Sequence, residues 1–100
     1  MSTHPMKLLT IIAEALVRER IEKLLAEEGA KGFTVFNVEG HGEGGRRTGE
    51  IGEYANVQIE AVVKPEVAAR LLDRLQESYF DKYGIIVYET DVRVLRPHKF

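Results

Sequence analysis

The pattern strand, helix, strand is written twice into this chain, and one glycine-rich stretch joins the two copies. In the first copy, Met6 to Ala13 is a short apolar run with β-branched residues, bounded by Pro5 and Glu14, which suits a buried strand better than a short helix. From Ala15 to Glu28 the apolar positions Val17, Ile21, Leu24 and Leu25 recur at helical spacing. Glu19 and Lys23 sit four apart on the wet side, and Gly29 stands where a helix C-cap belongs. Phe33 to Glu39 alternates and is rich in aromatic and β-branched residues, so it reads as a second strand, reached through the small residues of Ala30-Lys-Gly32.

In the second copy, Val57, Ile59, Ala61 and Val63 alternate with Asn56, Gln58, Glu60 and Val62, the pattern of a strand with one buried face, begun near Tyr54. Pro65 occupies a first-turn position, and Val67, Ala68, Leu71, Leu72, Leu75 and Tyr79 form an apolar stripe that predicts a helix to about Asp81. Ile85 to Leu95 is again strand-like, and its polar insertion at Glu89 to Asp91 predicts a bulge or a break into two shorter strands before Pro97 closes it.

The order βαβ, loop, βαβ predicts an α+β fold of the ferredoxin-like split βαβ plan, an antiparallel sheet with both helices on one face. At 100 residues, two separate cores would each be too small, so residues 1–100 are expected to form a single domain. The uncovered face would carry Gln58, Glu60, Val62, Tyr88 and Val92, a mixed chemistry that suits either water or partner subunits.

The joining stretch is the candidate site. Six of the nine glycines lie between Gly40 and Gly52, a window that also holds His41, Gly42, Arg46, Arg47, Thr48 and Gly49. Glycines let backbone N–H groups approach a ligand, and paired arginines supply forked donors for phosphate or carboxylate oxygens, so the chemistry is anion binding. It is neither a P-loop nor a dinucleotide fingerprint, because the residues after Arg46-Arg47-Thr48-Gly49 lead into a strand and not a helix. His41 reads either as a solvated loop histidine or as a donor beside the anion. Glu43, Glu50 and Glu53 can pair with the arginines when the anion is absent. Further on, Gly84 in Tyr83-Gly84-Ile85-Ile86 allows a backbone segment to approach a flat ring.

Several classes of function are disfavoured. There is no cysteine, hence no disulfide, thiolate ligand or thiol nucleophile, and His4, His41 and His98 are too scattered for a metal site. Ser2 and Ser78 are the only serines, and no paired-acid or nucleophile-base arrangement is readable, so the chain is expected not to be an enzyme. A formal charge of −2 argues against nucleic-acid binding, and no apolar run approaches the roughly 20 residues of a membrane span, so a cytoplasmic protein without membrane insertion is expected.

Gly29-Ala-Lys-Gly-Phe-Thr-Val35, Gly40-His-Gly with Arg46-Arg-Thr-Gly49, and Tyr79-Phe-Asp-Lys-Tyr-Gly-Ile-Ile86, in this order on a βαββαβ plan, resemble the PII-like signalling proteins. The branch they look most like is that of the carboxysome-associated PII protein and the companions of Sbt-type bicarbonate transporters. The resemblance runs from about Met6 to Leu95 and implies a homotrimer with nucleotide sites in the clefts between subunits. It makes residues 40–53 the T-loop, which folds over ligand or docks to a target, and makes Tyr83, Gly84, Ile85 and Ile86 the B-loop region that holds the base from one side. Arg46 and Arg47 would then meet phosphate or bicarbonate, Gly40, His41, Gly42, Thr48 and Gly49 would shape the anion pocket, and Phe33, Thr34 and Val35 would line the nucleoside.

These residues do not carry the longer T-loop with a modifiable tyrosine that marks classical nitrogen-regulatory members, and with no cysteine among them the cysteine-bearing extension of many transporter companions is not expected. The implied ligands are therefore AMP or ADP with bicarbonate, with ATP and cyclic AMP as further candidates, and the implied role is regulation of bicarbonate transport or carboxysome-linked metabolism. The competing resemblance is to the divalent-cation tolerance proteins, trimers of the same fold.

Overall fold

The structure, a computed structural model, describes residues 2–42, 45–47, 55–79 and 84–100. In chain order these form β1 (His4–Glu14), a 3-10 turn (Ala15–Val17), α1 (Arg18–Glu27), β2 (Thr34–Val38), β3 (Gly40–Gly42), β4 (Gly45–Arg47), β5 (Asn56–Val63), α2 (Pro65–Tyr79), β6 (Ile86–Val94) and a second 3-10 turn (Pro97–Lys99). The main sheet has the order β2-β5-β1-β6 with every neighbour antiparallel, and β3 and β4 form a separate two-stranded hairpin.

The strand period of two decides the two faces. Leu9 pairs with Ala61, Ile11 with Ile59 and Ala13 with Val57, so one face of β1 and β5 is wholly apolar. That face is buried against Val17 in the 3-10 turn, Ile21, Leu24 and Leu25 of α1, and Val67, Ala68, Leu71 and Leu75 of α2. Both helices thus cover the same side, as the spacing of those positions predicts.

Other contacts fix the ends of the elements. Gly29, with φ of 101°, reverses the chain after α1 while its N–H donates to the Ala26 carbonyl and that of Ala30 to the Leu25 carbonyl, the paired bonds of a Schellman cap. A Cβ at Gly29 would meet nothing within 4 Å, so the strain of positive φ is the whole penalty there. Gly29→Ala is expected to destabilise the fold by about 1 kcal/mol, seen as a lower urea midpoint at unchanged slope. Across the helix pair, Arg70 donates to both the carboxylate and the backbone carbonyl of Glu28, and Arg74 bridges Glu27 and Glu28, each nitrogen to oxygen distance being 3.1 or 3.2 Å. Arg70 thereby occupies one carbonyl acceptor, that of Glu28, at the end of α1.

β6 departs from the expected interruption. Its register against β1 is continuous from Ile86 opposite Ile12 to Val94 opposite His4, with neither bulge nor break. The polar residues are accommodated because β6 is an edge strand: Lys7 of β1 donates to Asp91 and lies beside Glu89. The hydrogen bond to Asp91, aided by both carboxylates, holds the Lys7 ammonium above its ordinary pKa. Its contribution is therefore complete below the lysine reference pKa and fades only as pH rises past the raised value. β1 also extends through Pro5, which lies beyond the last β5 pair, Lys7 opposite Val63, where a missing N–H breaks no β5 ladder bond.

Candidate functional site

The uncovered face of the sheet is built from the other half of each strand's alternation. Across it run Thr34, Glu60, Thr10 and Tyr88 in one row and Phe36, Gln58, Ile12 and Ile86 in the next. It is more apolar than the sequence suggests: Phe36, Ile86 and Tyr88 are large hydrophobic side chains 41%, 45% and 49% exposed. Two regions of chemistry border this face.

The first is a cavity of about 170 Å³ beside the start of β2. Leu8 and Val62, opposed in the β1–β5 ladder, give it apolar surface, and Gly32, Phe33, Thr34, Glu60 and Phe100 complete the lining. Thr34 lies opposite Glu60 in the β2–β5 ladder, and Gln58 donates from Nε2 to Glu60 Oε1 at 3.0 Å, orienting the carboxylate along the strand. A cavity with two aromatic residues, an apolar surface and one oriented acceptor suits a flat heterocycle that carries an amine.

The second is the hairpin within the glycine-rich window. Its backbone register sets Gly40 opposite Arg47 and His41 opposite Arg46, so the histidine and both arginines predicted to meet an anion fall on six paired residues. A Cβ at Gly40 would meet nothing within 4 Å.

The sequence-predicted residues are therefore distributed as follows. Phe33 and Thr34 line the cavity, while Val35, opposite Ile59, falls on the helix-covered face and packs against the core. Gly40, His41, Gly42, Arg46 and Arg47 lie in the hairpin. Gly84 precedes β6, Ile85 packs against the core, and Ile86 opens β6 on the uncovered face. Thr48, Gly49 and Tyr83 lie outside the described residues.

The strand order separates two of these groups. β2 and β6 are opposite edges of the sheet, with β5 and β1 between them, so Phe33 and Thr34 are three strand spacings, roughly 14 Å, from the strand that follows Gly84. From Thr34 to Gly40 the chain runs six residues in extended form, roughly 20 Å. Leu8, Glu60, Val62 and Phe100 had no local signature as site residues. Glu60 was legible only as a polar residue on an alternating strand, and Phe100 reaches the cavity through a chain path that no local pattern encodes.

Among the described residues no three His, Cys, Asp or Glu side chains form a group that could hold a metal ion. Among the same residues no helix is long and apolar enough to cross a membrane.

Residues 6–99 match the profile of the family described as Nitrogen regulatory protein P-II. Among solved structures, the chain is similar to a PII-like signalling protein of Thermus thermophilus, at 40% identity and TM-score 0.86, over 100% of this chain and 99% of that one. It is also similar to CPII of Thiomonas intermedia, a nitrogen regulatory PII-like protein bound to ADP, AMP and bicarbonate, at 33% identity and TM-score 0.92 over 99% and 96% of the two chains. The apo form of that protein matches at 28% identity and TM-score 0.77, covering 93% and 95%. With its ferredoxin-like antiparallel sheet, two helices on one face and a family match across almost its whole length, this chain belongs to the nitrogen regulatory P-II family and is a PII-like signalling protein.

Proposed function

We propose that this protein is a non-enzymatic sensor of adenine nucleotides, AMP or ADP, together with bicarbonate, and that the ligands bind between the subunits of a homotrimer. The observation that carries the reading is the separation of the two half-sites on one chain. Phe33 and Thr34 in the cavity stand three strands from β6, which follows Gly84, and among the described strands the hairpin bearing Arg46 and Arg47 is a sheet separate from the one that forms the cavity. A neighbour supplying one half to the other's second half makes a head-to-tail contact, which forms a ring when the rotation between subunits closes, as a homotrimer's does. The uncovered face, with Phe36, Tyr88 and Ile86 exposed, provides the apolar area for that contact. Similarity to the Thiomonas protein, which binds ADP, AMP and bicarbonate, supplies the ligand set.

In this reading the base enters the cavity with its amine toward Glu60, and the phosphates reach Arg46 and Arg47 of the neighbouring subunit. Thr48, Gly49 and Tyr83 complete the anion and base contacts, and residues 40–53 act as the T-loop. Ligand contacts to this glycine-rich segment must outweigh its conformational entropy, and the surface it then presents reports ligand to a target. The target is a bicarbonate transporter or a carboxysome-linked protein, and the protein acts in the cytoplasm.

Light scattering gives the assembly, and isothermal titration with AMP, ADP, ATP and cyclic AMP, each with and without bicarbonate, gives the ligands. Tighter nucleotide binding in bicarbonate is expected, and the coupling must be reciprocal, bicarbonate binding more tightly in nucleotide by the same factor. A protein that binds none of the four nucleotides would overturn the proposal.

A further inference from the structure

The chain beyond β6 has a role that neither the hairpin nor the sheet explains. β6 ends at Val94 on the edge of the sheet opposite β2, yet Phe100, six residues later, lines the cavity beside the start of β2. Three extended residues and a 3-10 turn reach about 16 Å, enough for the roughly 14 Å across the intervening strands. The crossing ends in an ordered turn. Pro97 fixes φ at its start, the Lys99 N–H donates to the Arg96 carbonyl at 3.1 Å, and the Phe100 N–H donates to the Pro97 carbonyl at 3.1 Å. Lys31, in the connection to β2, donates from Nζ to the His98 carbonyl at 3.2 Å and ties the turn to the cavity's rim.

Phe100 is half-buried but is not part of the hydrophobic core, which is complete without it. Its position serves the cavity. There it joins Phe33, with Leu8 and Val62 supplying apolar surface and Glu60 and Thr34 polar atoms. The cavity, about 170 Å³ and open to solvent on one side, has room for one planar ring system. Aromatic side chains in the lining of such a cavity offer a surface for a flat ring, and the single oriented carboxylate favours a ring bearing an N–H donor.

We infer that Phe100 is a stacking residue for the purine of the bound nucleotide and that Lys31, through the His98 carbonyl, is the residue that positions it. This rests on the nucleotide-sensor reading above, and it adds a specificity element carried by the segment after the sheet. Stacking on the ring face is indifferent to the phosphate chain, which separates the role of Phe100 from that of Arg46 and Arg47.

The test is titration of the full chain with ADP and with adenosine, comparing wild type with Phe100→Ala, Phe100→Tyr, Lys31→Ala and Arg47→Ala, with thermal midpoints measured alongside. Phe100→Ala is expected to weaken ADP and adenosine by the same factor, about tenfold, in the lower part of the range for base–aromatic stacking. Phe100→Tyr retains near wild-type affinity for both, and Lys31→Ala shows a smaller loss in the same direction. Arg47→Ala weakens ADP and leaves adenosine unchanged. Unaltered or tighter ADP binding in Phe100→Ala, or a loss confined to ADP, overturns the stacking role while leaving the sensor reading in place. Failure of wild type to bind either compound overturns both. If Phe100→Ala lowers the thermal midpoint substantially, the tyrosine variant decides: it must keep the affinity that stacking supplies, and a tenfold loss there overturns the inference.

Discussion

Replacing Arg46 or Arg47 by alanine is expected to weaken ADP binding at least tenfold while the fold stays intact. The two residues lie in β4, which pairs only with β3 in a sheet of its own, so the four-stranded sheet and its helical cover do not depend on them. What they supply is charge. A hydrogen bond between a guanidinium and a phosphate oxygen contributes about 1.5–3 kcal/mol, and tenfold in affinity is about 1.4 kcal/mol, so one lost fork accounts for the effect. The ordering cost of the surrounding glycines is unchanged by the substitution, which leaves the weakened contacts opposing the same entropy. Titration calorimetry and circular dichroism on both variants provide the check, and the contribution should shrink with added salt, as expected of contacts between charges. Wild-type affinity in both single variants would remove the hairpin from the site.

A charge placed on the uncovered sheet face should do more. Phe36 lies beside Gln58 and shares its row with Ile12 and Ile86, and it is already 41% exposed in the isolated subunit, so Phe36→Asp leaves the chain folded. In a subunit contact the same carboxylate would be desolvated without a partner, at a cost of several kcal/mol in each interface. Light scattering should find a monomer, and ADP affinity should fall on the order of a hundredfold or more, because each site takes its halves from two subunits. Ala69→Asp, on the exposed side of α2, is the matched control and should change neither quantity. A monomeric Phe36→Asp protein that binds ADP as tightly as wild type would show that one chain carries a complete site.

These two variants also mark how far the sequence can be read. The helical positions were legible because Val17, Ile21, Leu24 and Leu25, and likewise Val67, Ala68, Leu71 and Leu75, repeat at a spacing that only a helix places on one side, and all eight are buried. β5 was legible from its strict alternation, whose apolar half is buried throughout. Elsewhere local pattern misled. The polar run at Glu89 to Asp91 suggested an interruption, but Lys7 on the neighbouring strand accommodates it, and that pairing lies 84 residues away in sequence. The short hairpin at Gly40 to Arg47 was unreadable because glycine has low strand propensity, and only backbone pairing reveals it.

The sequence by itself determined the α+β plan and the face of each helix and strand that enters the core, and it offered the glycine and arginine window proposed for anions. Those properties follow from local stereochemistry, from periods of 3.6 and 2 and from side-chain charge, all carried by neighbouring residues. The tertiary structure alone decided that Thr34 lies opposite Glu60, that Leu8, Val62 and Phe100 share one cavity, and that β2, whose start borders the cavity, stands at the far edge of the sheet from the strand after Gly84. These relations depend on strand order and on a chain path that crosses the sheet. Hydrophobic burial of the whole domain selects them, because no single segment can cover its own apolar face.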